Sequence, residues 1–227
     1  MPSFDIIKKW ENPETFRTES VKGTFTLEDA KLEKRFVGTI PFEQDNWQIG
    51  VIVGRSGTGK TSIAKELFPE AYIKEFDYSH NSILDDFPED LSVSDITKTL
   101  CSVGFSSPPD WLKRYEQLSS GEKMRVDIAR ALTLDKPLIV FDEFTSVVDR
   151  EIAQISALAI QKAIRKTKKK FIAVTCHYDV IDWLEPDWIF CTDSMEFDKK
   201  KELTQKLQLA STHANKTFGN SLGSIII

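Results

Sequence analysis

The stretch Trp47 to Phe68, WQIGVIVGRSGTGKTSIAKELF, constrains the fold of this chain more than any other part of the sequence. A short apolar run, Ile49 to Val53, leads into a glycine-rich loop, and apolar residues then recur at helical spacing until Pro69. Such an apolar run is typical of a strand buried on both faces, as parallel strands are. The stretch therefore predicts a strand, a loop and a helix of an α/β fold.

The loop in this stretch fits the phosphate-binding pattern G-x-x-x-x-G-K-[ST]. Glycines let the backbone turn its N–H groups toward a phosphate, and the helix that follows adds the positive end of its dipole. Lys60 would reach the β and γ phosphates of a triphosphate, and Thr61 would offer its hydroxyl to magnesium. A chance glycine turn is the alternative, and the flanking strand and helix argue against it. The residues of the predicted phosphate site are Gly54, Arg55, Ser56, Gly57, Thr58, Gly59, Lys60, Thr61 and Ser62.

Composition narrows the class of protein. The 227 residues, 41% hydrophobic and 29% charged, indicate one ordinary soluble domain. A formal net charge of -5 gives no general attraction to nucleic acid or to an anionic membrane. No apolar run approaches the roughly 18 residues of a membrane helix, and the N-terminus lacks the apolar core of a signal peptide. We therefore expect a chain that is neither inserted nor exported by its own sequence. Three widely separated cysteines favour a reducing cytoplasm.

Short β-like segments and buried strands surround the phosphate loop. Before the loop, the candidate strands are Phe4 to Ile7, Gly23 to Leu27 and Arg35 to Phe42, which suggest a small antiparallel layer. After it, the candidates are Ala71 to Phe76, Leu138 to Phe141, Phe171 to Cys176 and Trp188 to Thr192, with a short helix over Ile96 to Val103. The pattern predicts an α/β fold with buried strands and helices between them.

A second informative stretch is Leu118 to Leu134, LSSGEKMRVDIARALTL. A polar turn with two serines and a glycine precedes a helix whose apolar face carries Met124, Ile128, Ala131 and Leu132. One interpretation is an amphipathic helix with a serine cap, which is common. The other is a second anion-binding helix N-terminus in a chain that already has one.

Two acids, Asp142 and Glu143, follow the apolar run Leu138 to Phe141. Open α/β sheets bind ligands at the C-terminal ends of their strands, so these carboxylates are expected near the phosphate loop. Asp142 would hold magnesium, directly or through water, and Glu143 would orient or polarise an attacking water. Capping of the next element is the alternative function for two acids at a strand end.

A long helical pattern begins at Asp149, with Ile152, Ile155, Ala159 and Ala163 expected to face inward. It ends in the basic cluster Arg165, Lys166, Lys168, Lys169 and Lys170. Cations at a helix C-terminus oppose its dipole, so a solvated helix end is the first interpretation and nucleic-acid contact the alternative. His177 comes directly after the strand that follows. A lone histidine is usually structural, but its place at a strand's C-terminal end favours a ligand-facing role.

Taken in chain order, GRSGTGKT, LSSGEKMR, LIVFDE, SVVD and VTCH resemble the Walker A, signature, Walker B, D-loop and switch-histidine motifs of ABC-type ATPases. The resemblance covers roughly Gly23 to Thr192. It implies a P-loop NTPase fold with a mostly parallel central sheet flanked by helices, an N-terminal antiparallel β layer and a shortened helical subdomain. It also implies an ATPase whose cofactors are ATP and Mg²⁺ and whose sites form when two copies, expected to be identical, pack head to tail.

The resemblance assigns roles to particular residues. Glu143 and His177 would be catalytic, Thr61 and Asp142 would hold the metal, and Asp149 would lie in the D-loop at the seam between copies. The signature that reaches the γ-phosphate from the partner copy would be Leu118, Ser119, Ser120, Gly121 and Glu122.

The chain also departs from the family pattern. Ser120 stands where the family commonly has glycine. No glutamine occurs between Ile63 and Glu116, so the Q-loop glutamine has no matching position, and Asp77 or His80 is the substitute to consider. The segment between Walker A and the signature is short. Phe25 is the candidate for the aromatic residue that stacks on adenine.

These departures favour a small soluble ABC-type ATPase that drives a conformational cycle on a separate partner, without transport. The alternative is the ATP-binding subunit of a transporter whose membrane subunit is another chain, and a P-loop kinase is a third hypothesis. The expected domain boundaries are residues 1–195 for one ATPase domain, with the helical lobe at about 78–125, and 196–227 for a polar tail.

Overall fold

The computed structural model describes residues 3–9, 14–25, 33–41, 47–73 and 75–199. Its strands are β1 (Ser3–Lys9), β2 (Glu33–Thr39), β3 (Ile49–Val53), β4 (Tyr72–Ile73), β5 (Leu138–Phe141), β6 (Lys170–Thr175), β7 (Trp188–Cys191) and β8 (Glu196–Lys199). Its helices are α1 (Phe16–Phe25), α2 (Lys60–Leu67), α3 (Val93–Ser102), α4 (Pro108–Trp111), α5 (Ser120–Thr133), α6 (Arg150–Arg165) and α7 (Val180–Leu184), with a 3-10 turn at Tyr115–Gln117.

The central sheet has six strands in the order β4-β5-β6-β3-β7-β8. Every neighbouring pair is parallel except β7 and β8, which are antiparallel. Because β6 lies between β3 and β5, the ends of these three strands meet along one edge of the sheet. The parallel sheet, the flanking helices and the antiparallel pair β1-β2 confirm the predicted fold class.

The core covers both faces of this sheet, and β3 is accordingly buried along its whole length. Ile49, Val51 and Val53 face a cluster with α3, α5 and α6, whereas Ile52 faces a second cluster with α2 and the β1-β2 layer. Gly50 shares the second face, where the indole ring of Trp188 occupies the space that a side chain at position 50 would fill. The glycine in this strand is therefore a packing requirement.

The N-terminal layer differs in part from the sequence prediction. The strand predicted at Phe4 to Ile7 is confirmed within β1, and the one at Arg35 to Phe42 corresponds to β2, with Phe42 outside the described residues. The strand predicted at Gly23 to Leu27 is wrong for its described part, because residues 23–25 form the end of α1. The residues of α1 are not buried, so solvent contact left no periodic pattern from which the helix could be predicted.

The helical lobe between β4 and β5 contains α3, α4, the 3-10 turn and α5. Ser92 caps α3 through a hydrogen bond from the N–H of Asp95, and Leu100 of α3 and Ile128 of α5 are buried in the shared core. The strand predicted at Ala71 to Phe76 is only the two-residue β4, because the chain leaves the sheet edge after Ile73.

Helix α6 is present as predicted, but its buried face is different. Ile152 is 37% exposed and Ile155 is 63% exposed, so the prediction that both face inward is wrong. The residues that face the core are Ala153, Ser156, Ala157, Ile160, Ala163 and Ile164. Small residues let α6 pack closely against its neighbours. Hydrophobicity alone favours Ile152 and Ile155 as the inward residues, which is why the predicted face is wrong.

The basic cluster after α6 is largely occupied by structural contacts. Arg165 forms an ion pair with Asp187 at 2.7 Å. Lys169 donates to the carbonyl of Lys136 at 3.1 Å, and the ammonium of Lys170 lies 4.9 Å from the ring centroid of Trp47. These contacts favour the structural interpretation of the cluster over nucleic-acid contact.

The expected tail begins later than predicted. Glu196–Lys199 pair with β7 as β8, because Phe197 packs beside Trp188 with ring centroids 5.8 Å apart. The rest of the predicted tail, from residue 200 onward, lies outside the described residues. Within the described ranges, none of the helices combines the length and apolar character that a bilayer crossing requires.

The contact between Gly50 and Trp188 generates the first prediction. Gly50→Ala should lower the free energy of unfolding by about 1–3 kcal/mol, because the new methyl group overlaps a buried ring. The matched control is Gly23→Ala in α1, where the added methyl group meets none of the described residues outside its own helix within 4 Å. We expect this control to be neutral or stabilising by about 0.5 kcal/mol. Urea unfolding of both variants decides the matter, and equal stability of Gly50→Ala and the parent would contradict the packing argument.

Candidate functional site

The phosphate loop between β3 and α2 is held in a shape that leaves its helix end open. Gly57 and Gly59 have φ angles of 79° and 93°, which side-chain-bearing residues rarely adopt. Gly59 is the N-cap residue of α2 and supplies no side-chain cap, whereas α3, α5 and α6 are capped by Ser92, Ser119 and Asp149. The first N–H groups of α2 are therefore available to an anion.

Residues just after β7 hold the loop through hydrogen bonds. Arg55 donates its backbone N–H and its Nε to the carboxylate of Asp193, at 3.1 and 3.0 Å, just after β7. Hydrogen bonds from Tyr178 and Arg55 hold the pKa of Asp193 below its usual value, so the carboxylate stays ionised. The hydroxyls of Thr58 and Thr192 lie 2.6 Å apart. The loop is thus pre-formed before any ligand arrives.

Lys60 is the buried cation of this site. Its side chain is 8% exposed, and its Nζ donates to the carbonyl of Arg55 at 2.9 Å, which keeps the ammonium over the loop. Lysine is rarely buried unless it is paired, because removing its charge from water costs free energy. A bound anion would offset this cost at Lys60.

A groove of about 280 Å³ brings the loop together with residues from three other elements. Glu143 reaches it from the end of β5, and Lys8 and Lys34 reach it from the N-terminal layer. Lys8 and Lys34 lie directly opposite each other on β1 and β2, an unfavourable like-charge pair unless an anion lies nearby. The described residues that line it are Lys8, Lys34, Phe36, Ser56, Gly57, Gly59, Lys60, Thr61, Ser62 and Glu143.

Asp142 lies at the end of β5 with both carboxylate oxygens oriented. Oδ2 accepts from the hydroxyl of Tyr72 at 2.6 Å, and Oδ1 accepts from the N–H of Glu143 at 2.9 Å. Burial and the neighbouring carboxylate raise the pKa of Tyr72, so the hydroxyl remains a donor. Tyr72 was not singled out from the sequence, because only strand pairing brings it beside Asp142.

Glu143 is exposed and has a φ angle of 51°, in the left-handed region. Buried Thr145, two residues later, has a φ angle of 66°, which is unusual for a β-branched residue. The amide of Phe144 between them donates to the carbonyl of Val174 on β6 at 2.9 Å. This tight turn carries Glu143 out of the strand and toward the groove.

The residues fit a magnesium ion of the kind that accompanies nucleotides. Among the described residues, no group of three or more histidine, cysteine or acidic side chains could hold a metal alone. Magnesium commonly takes one or two carboxylates and completes its shell with phosphate oxygens and water. Asp142 and the hydroxyl of Thr61 are hard oxygen donors of this type, and both roles stay predictions.

His177 lies two residues beyond the end of β6, between the ends of β3 and β5. Its Nδ1 is 3.0 Å from a terminal nitrogen of Arg150 and 3.5 Å from the hydroxyl of Thr145. Burial and the positive charge of Arg150 lower the pKa of His177, so the ring is neutral near pH 7. The sheet topology thus brings His177, Glu143 and the phosphate loop to one edge.

The signature stretch lies on a different part of the chain. Ser119 caps α5 in a reciprocal box with Glu122, whose carboxylate accepts from the Ser119 amide at 2.7 Å and from its hydroxyl at 2.8 Å. Gly121 is buried, and a side chain there would come within 2.6 Å of Ile152 on α6. None of the described residues lining the phosphate groove comes from this stretch.

Three sequence candidates are placed away from the groove lining. His80 contacts buried Asp86 through its Nδ1 at 2.7 Å, a contact internal to the lobe. Phe25 is 68% exposed at the end of α1, and no described contact joins it to the loop. Asp77 offers its carbonyl to Arg130 at 2.6 Å. The substitute for the Q-loop glutamine and the adenine contact stay unassigned.

No protein-family model matches the chain. The energy-coupling factor transporter ATP-binding protein EcfA1 of Staphylococcus aureus (strain USA300) is 26% identical over 80% of this chain and 81% of its own length. EcfA of Aster yellows witches'-broom phytoplasma (strain AYWB) is 40% identical, over 29% of this chain and 22% of its own length. The methionine import ATP-binding protein MetN 1 of Pseudomonas putida is 36% identical, over 38% of this chain and 25% of its own length.

Solved structures share the fold. The ATP-binding cassette MJ0796, in a dimeric post-hydrolysis state with ADP and Pi, superposes with a TM-score of 0.59 at 15% identity, over 87% of this chain and 97% of that one. A bacterial Atm1-family ABC exporter with ATP bound gives 0.55 at 20% identity, over 74% of this chain and 37% of that one. Sequence relatives and shared fold confirm the resemblance to ABC-type ATPase domains.

The second prediction concerns Lys60. Lys60→Ala should weaken nucleotide binding about 10- to 100-fold, because a charge-assisted hydrogen bond to phosphate is lost. Isothermal titration with a non-hydrolysable ATP analogue measures this, with urea unfolding to show that the variant is folded. Lys98→Ala is the control, because Lys98 is exposed on α3 and its ion pair within the described ranges is with Asp95 of the same helix. Unchanged affinity in folded Lys60→Ala would exclude the loop as the binding site.

Proposed function

We propose that this chain, whose motifs and fold fit an ABC-type ATPase nucleotide-binding domain, binds Mg-ATP and hydrolyses it at a site shared between two copies. One observation carries the proposal. The phosphate loop, with its uncapped helix end and buried Lys60, lines the same groove as Glu143 from the end of β5. A triphosphate held by the loop would place its γ-phosphate next to a carboxylate that can act on water.

Each residue of the sheet edge has a proposed part in the reaction. The loop amides and Lys60 hold the phosphates, and Asp142 and Thr61 hold the magnesium that the nucleotide brings. Magnesium held by these two residues would supply positive charge that offsets the charge of the phosphates. Glu143 orients the attacking water, and His177 donates a hydrogen bond to the γ-phosphate.

The second copy would complete the site. Lys60 and Glu143 put charged groups in the phosphate groove, but none of its described lining residues belongs to the signature. Within the signature, Ser119 is exposed at the N-terminus of α5. A helix N-terminus attracts anions, so Ser119 of one copy would approach the γ-phosphate bound by the other. The cassette MJ0796 forms a dimer, which supports the same arrangement here.

The relatives change the preferred biological context. The departures from the family pattern favour a soluble, non-transport ATPase, but these curated relatives carry the names of transporter ATP-binding subunits. They support the alternative hypothesis better, so we propose an ATP-binding subunit that works with a separate membrane chain. A cytoplasmic location is part of this proposal. The free state of all three cysteines is compatible with it.

Co-purification distinguishes the two contexts. Tagged protein extracted with mild detergent from its native cell should bring down an integral membrane chain, and the association should depend on the presence of ATP or ADP. Recovery of a dimer with no membrane chain, from both the soluble and the detergent fraction, would contradict the transporter context. The ATPase proposal itself would be unaffected.

The third prediction isolates the chemical step. Glu143→Gln should bind ATP with parental affinity, because the phosphate contacts remain, but turn it over at least about 100-fold more slowly, because the carboxylate that orients water is gone. Since hydrolysis would release the copies, a dimer should accumulate with Mg-ATP and dissociate with ADP. Light scattering after size exclusion measures the dimer, and phosphate release measures turnover.

A matched charge-neutral change controls for this result. Glu89→Gln removes an exposed carboxylate in the loop before α3 and should keep parental turnover. Parental turnover in Glu143→Gln would remove Glu143 from the proposed role. A Glu143→Gln protein that binds ATP without dimerising would contradict the shared site.

A further inference from the structure

Arg150, the first residue of α6, holds a network between the D-loop and the switch histidine that no sequence motif indicated. Its Nε donates to Oδ2 of Asp179 at 3.0 Å, and one terminal nitrogen donates to Oδ1 of the same carboxylate. The other terminal nitrogen faces Nδ1 of His177 at 3.0 Å. The guanidinium carbon lies 4.8 Å from the ring centroid of Trp183.

These contacts fix the guanidinium in one orientation. A bidentate pair with a carboxylate restrains both rotation and tilt, and an aromatic face covers the flat side. The same terminal nitrogen that faces His177 also lies 3.5 Å from the hydroxyl of Thr145, in the turn that carries Glu143. Arg150 is therefore fixed against α7 and presents its remaining donor to the catalytic edge.

The direction of the hydrogen bond to His177 is unambiguous. A guanidinium has donors only, so Nδ1 of His177 must accept. A neutral imidazole that accepts at Nδ1 carries its proton on Nε2. The nitrogen left for another partner is then a donor, which is the property needed to contact a phosphate oxygen.

We propose that Arg150 is the positioning residue of His177, fixing the ring in the Nε2–H tautomer and in the orientation that presents this donor to the γ-phosphate. The phosphate contact rests on the proposed ATPase function, whereas the tautomer does not. Arg150 touches neither ATP nor the attacking water, and it acts only through the histidine.

The charges around the ring agree with this role. Arg150 and burial lower the pKa of His177, while Asp179 and Glu143 act in the opposite direction and Thr145 is uncharged. The net shift is downward, so the ring keeps an acceptor at Nδ1 under physiological conditions. Removing Arg150 would take away a positive charge beside the ring and leave the negative charge of Asp179 without its ion pair. Each of these two changes would raise the pKa of His177.

The network also ties His177 to the proposed seam between copies. Asp149, directly before Arg150, caps α6 by accepting from the N–H of Ile152 at 3.0 Å. A shift of this helix end against a second copy would move Arg150 and hence the imidazole. The D-loop and the histidine would respond to dimerisation as one unit.

The fourth prediction tests the tautomer directly by NMR of protein labelled with ¹⁵N histidine. The chain has three histidines, so His177→Gln assigns the signal of interest. In the parent at pH 7.5 we expect a neutral ring with Nε2 protonated. A ring that is charged, or protonated at Nδ1 alone, overturns the proposal without any substitution of Arg150.

Arg150→Met should raise the pKa of His177, because a neighbouring positive charge is lost, and lower kcat about tenfold at pH 8 with little change in KM for ATP. Arg150→Lys keeps a cationic donor and should restore part of both. The matched control is Arg165→Met, which breaks a comparable ion pair with Asp187 away from the edge. It should lower stability without moving the His177 titration.

The outcomes separate the two proposals. An unchanged His177 titration in Arg150→Met, whether or not kcat falls, means that Arg150 has a structural role only and overturns the inference. If the parent hydrolyses no ATP, the proposed function fails, and the NMR result still decides whether Arg150 sets the tautomer.

Discussion

Parallel pairing of β6 between β3 and β5 is the constraint on which the rest of the site depends. It places three strand ends side by side, so the phosphate loop, His177 and the acids after β5 meet although they are far apart in sequence. The pairing is held by burial on both faces of β3, including the fit of Trp188 over Gly50. A slip of one residue would exchange the residues on the two buried faces of β3 and take Gly50 away from Trp188, so the register is strongly determined. Packing in the core therefore fixes the positions of the residues at this edge of the sheet.

Features with a local physical cause could be predicted from the sequence, and features that depend on tertiary contacts could not. The phosphate loop, the caps at Ser119 and Asp149 and the strand before Asp142 all have short-range signals, and all are present. The contacts of Tyr72 with Asp142 and of Arg150 with His177 join elements remote in sequence, so no spacing rule indicates them. Helix α1 and the inward face of α6 were mispredicted because solvent exposure and small residues, respectively, removed the hydrophobic signal.

The short helical lobe and the names of the relatives lead to different biological contexts for the same chemistry. In the lobe, α4 is a single turn and α3 packs on α5, so little structure projects beyond the core. The relatives with transporter names match this chain over parts of their length that range from 22% to 81%. The proposed catalytic edge is independent of this choice, because its residues come from the central sheet, its adjoining turns and the start of α2. An ATP-binding subunit of a transporter and a non-transport ATPase would differ in the partner that the helical lobe contacts.

The reciprocal box between Ser119 and Glu122 has an energetic consequence for any ligand of the signature. The hydroxyl of Ser119 has a single proton, which already goes to the carboxylate of Glu122. Offering that proton to a phosphate oxygen would swap one strong acceptor for another, so the gain in free energy is the difference between two hydrogen bonds. Glu122 would then be left with one donor fewer beside a negatively charged group. A contact between Ser119 and a phosphate that gains so little free energy dissociates easily, which suits the proposed dimer, whose copies would separate after each hydrolysis.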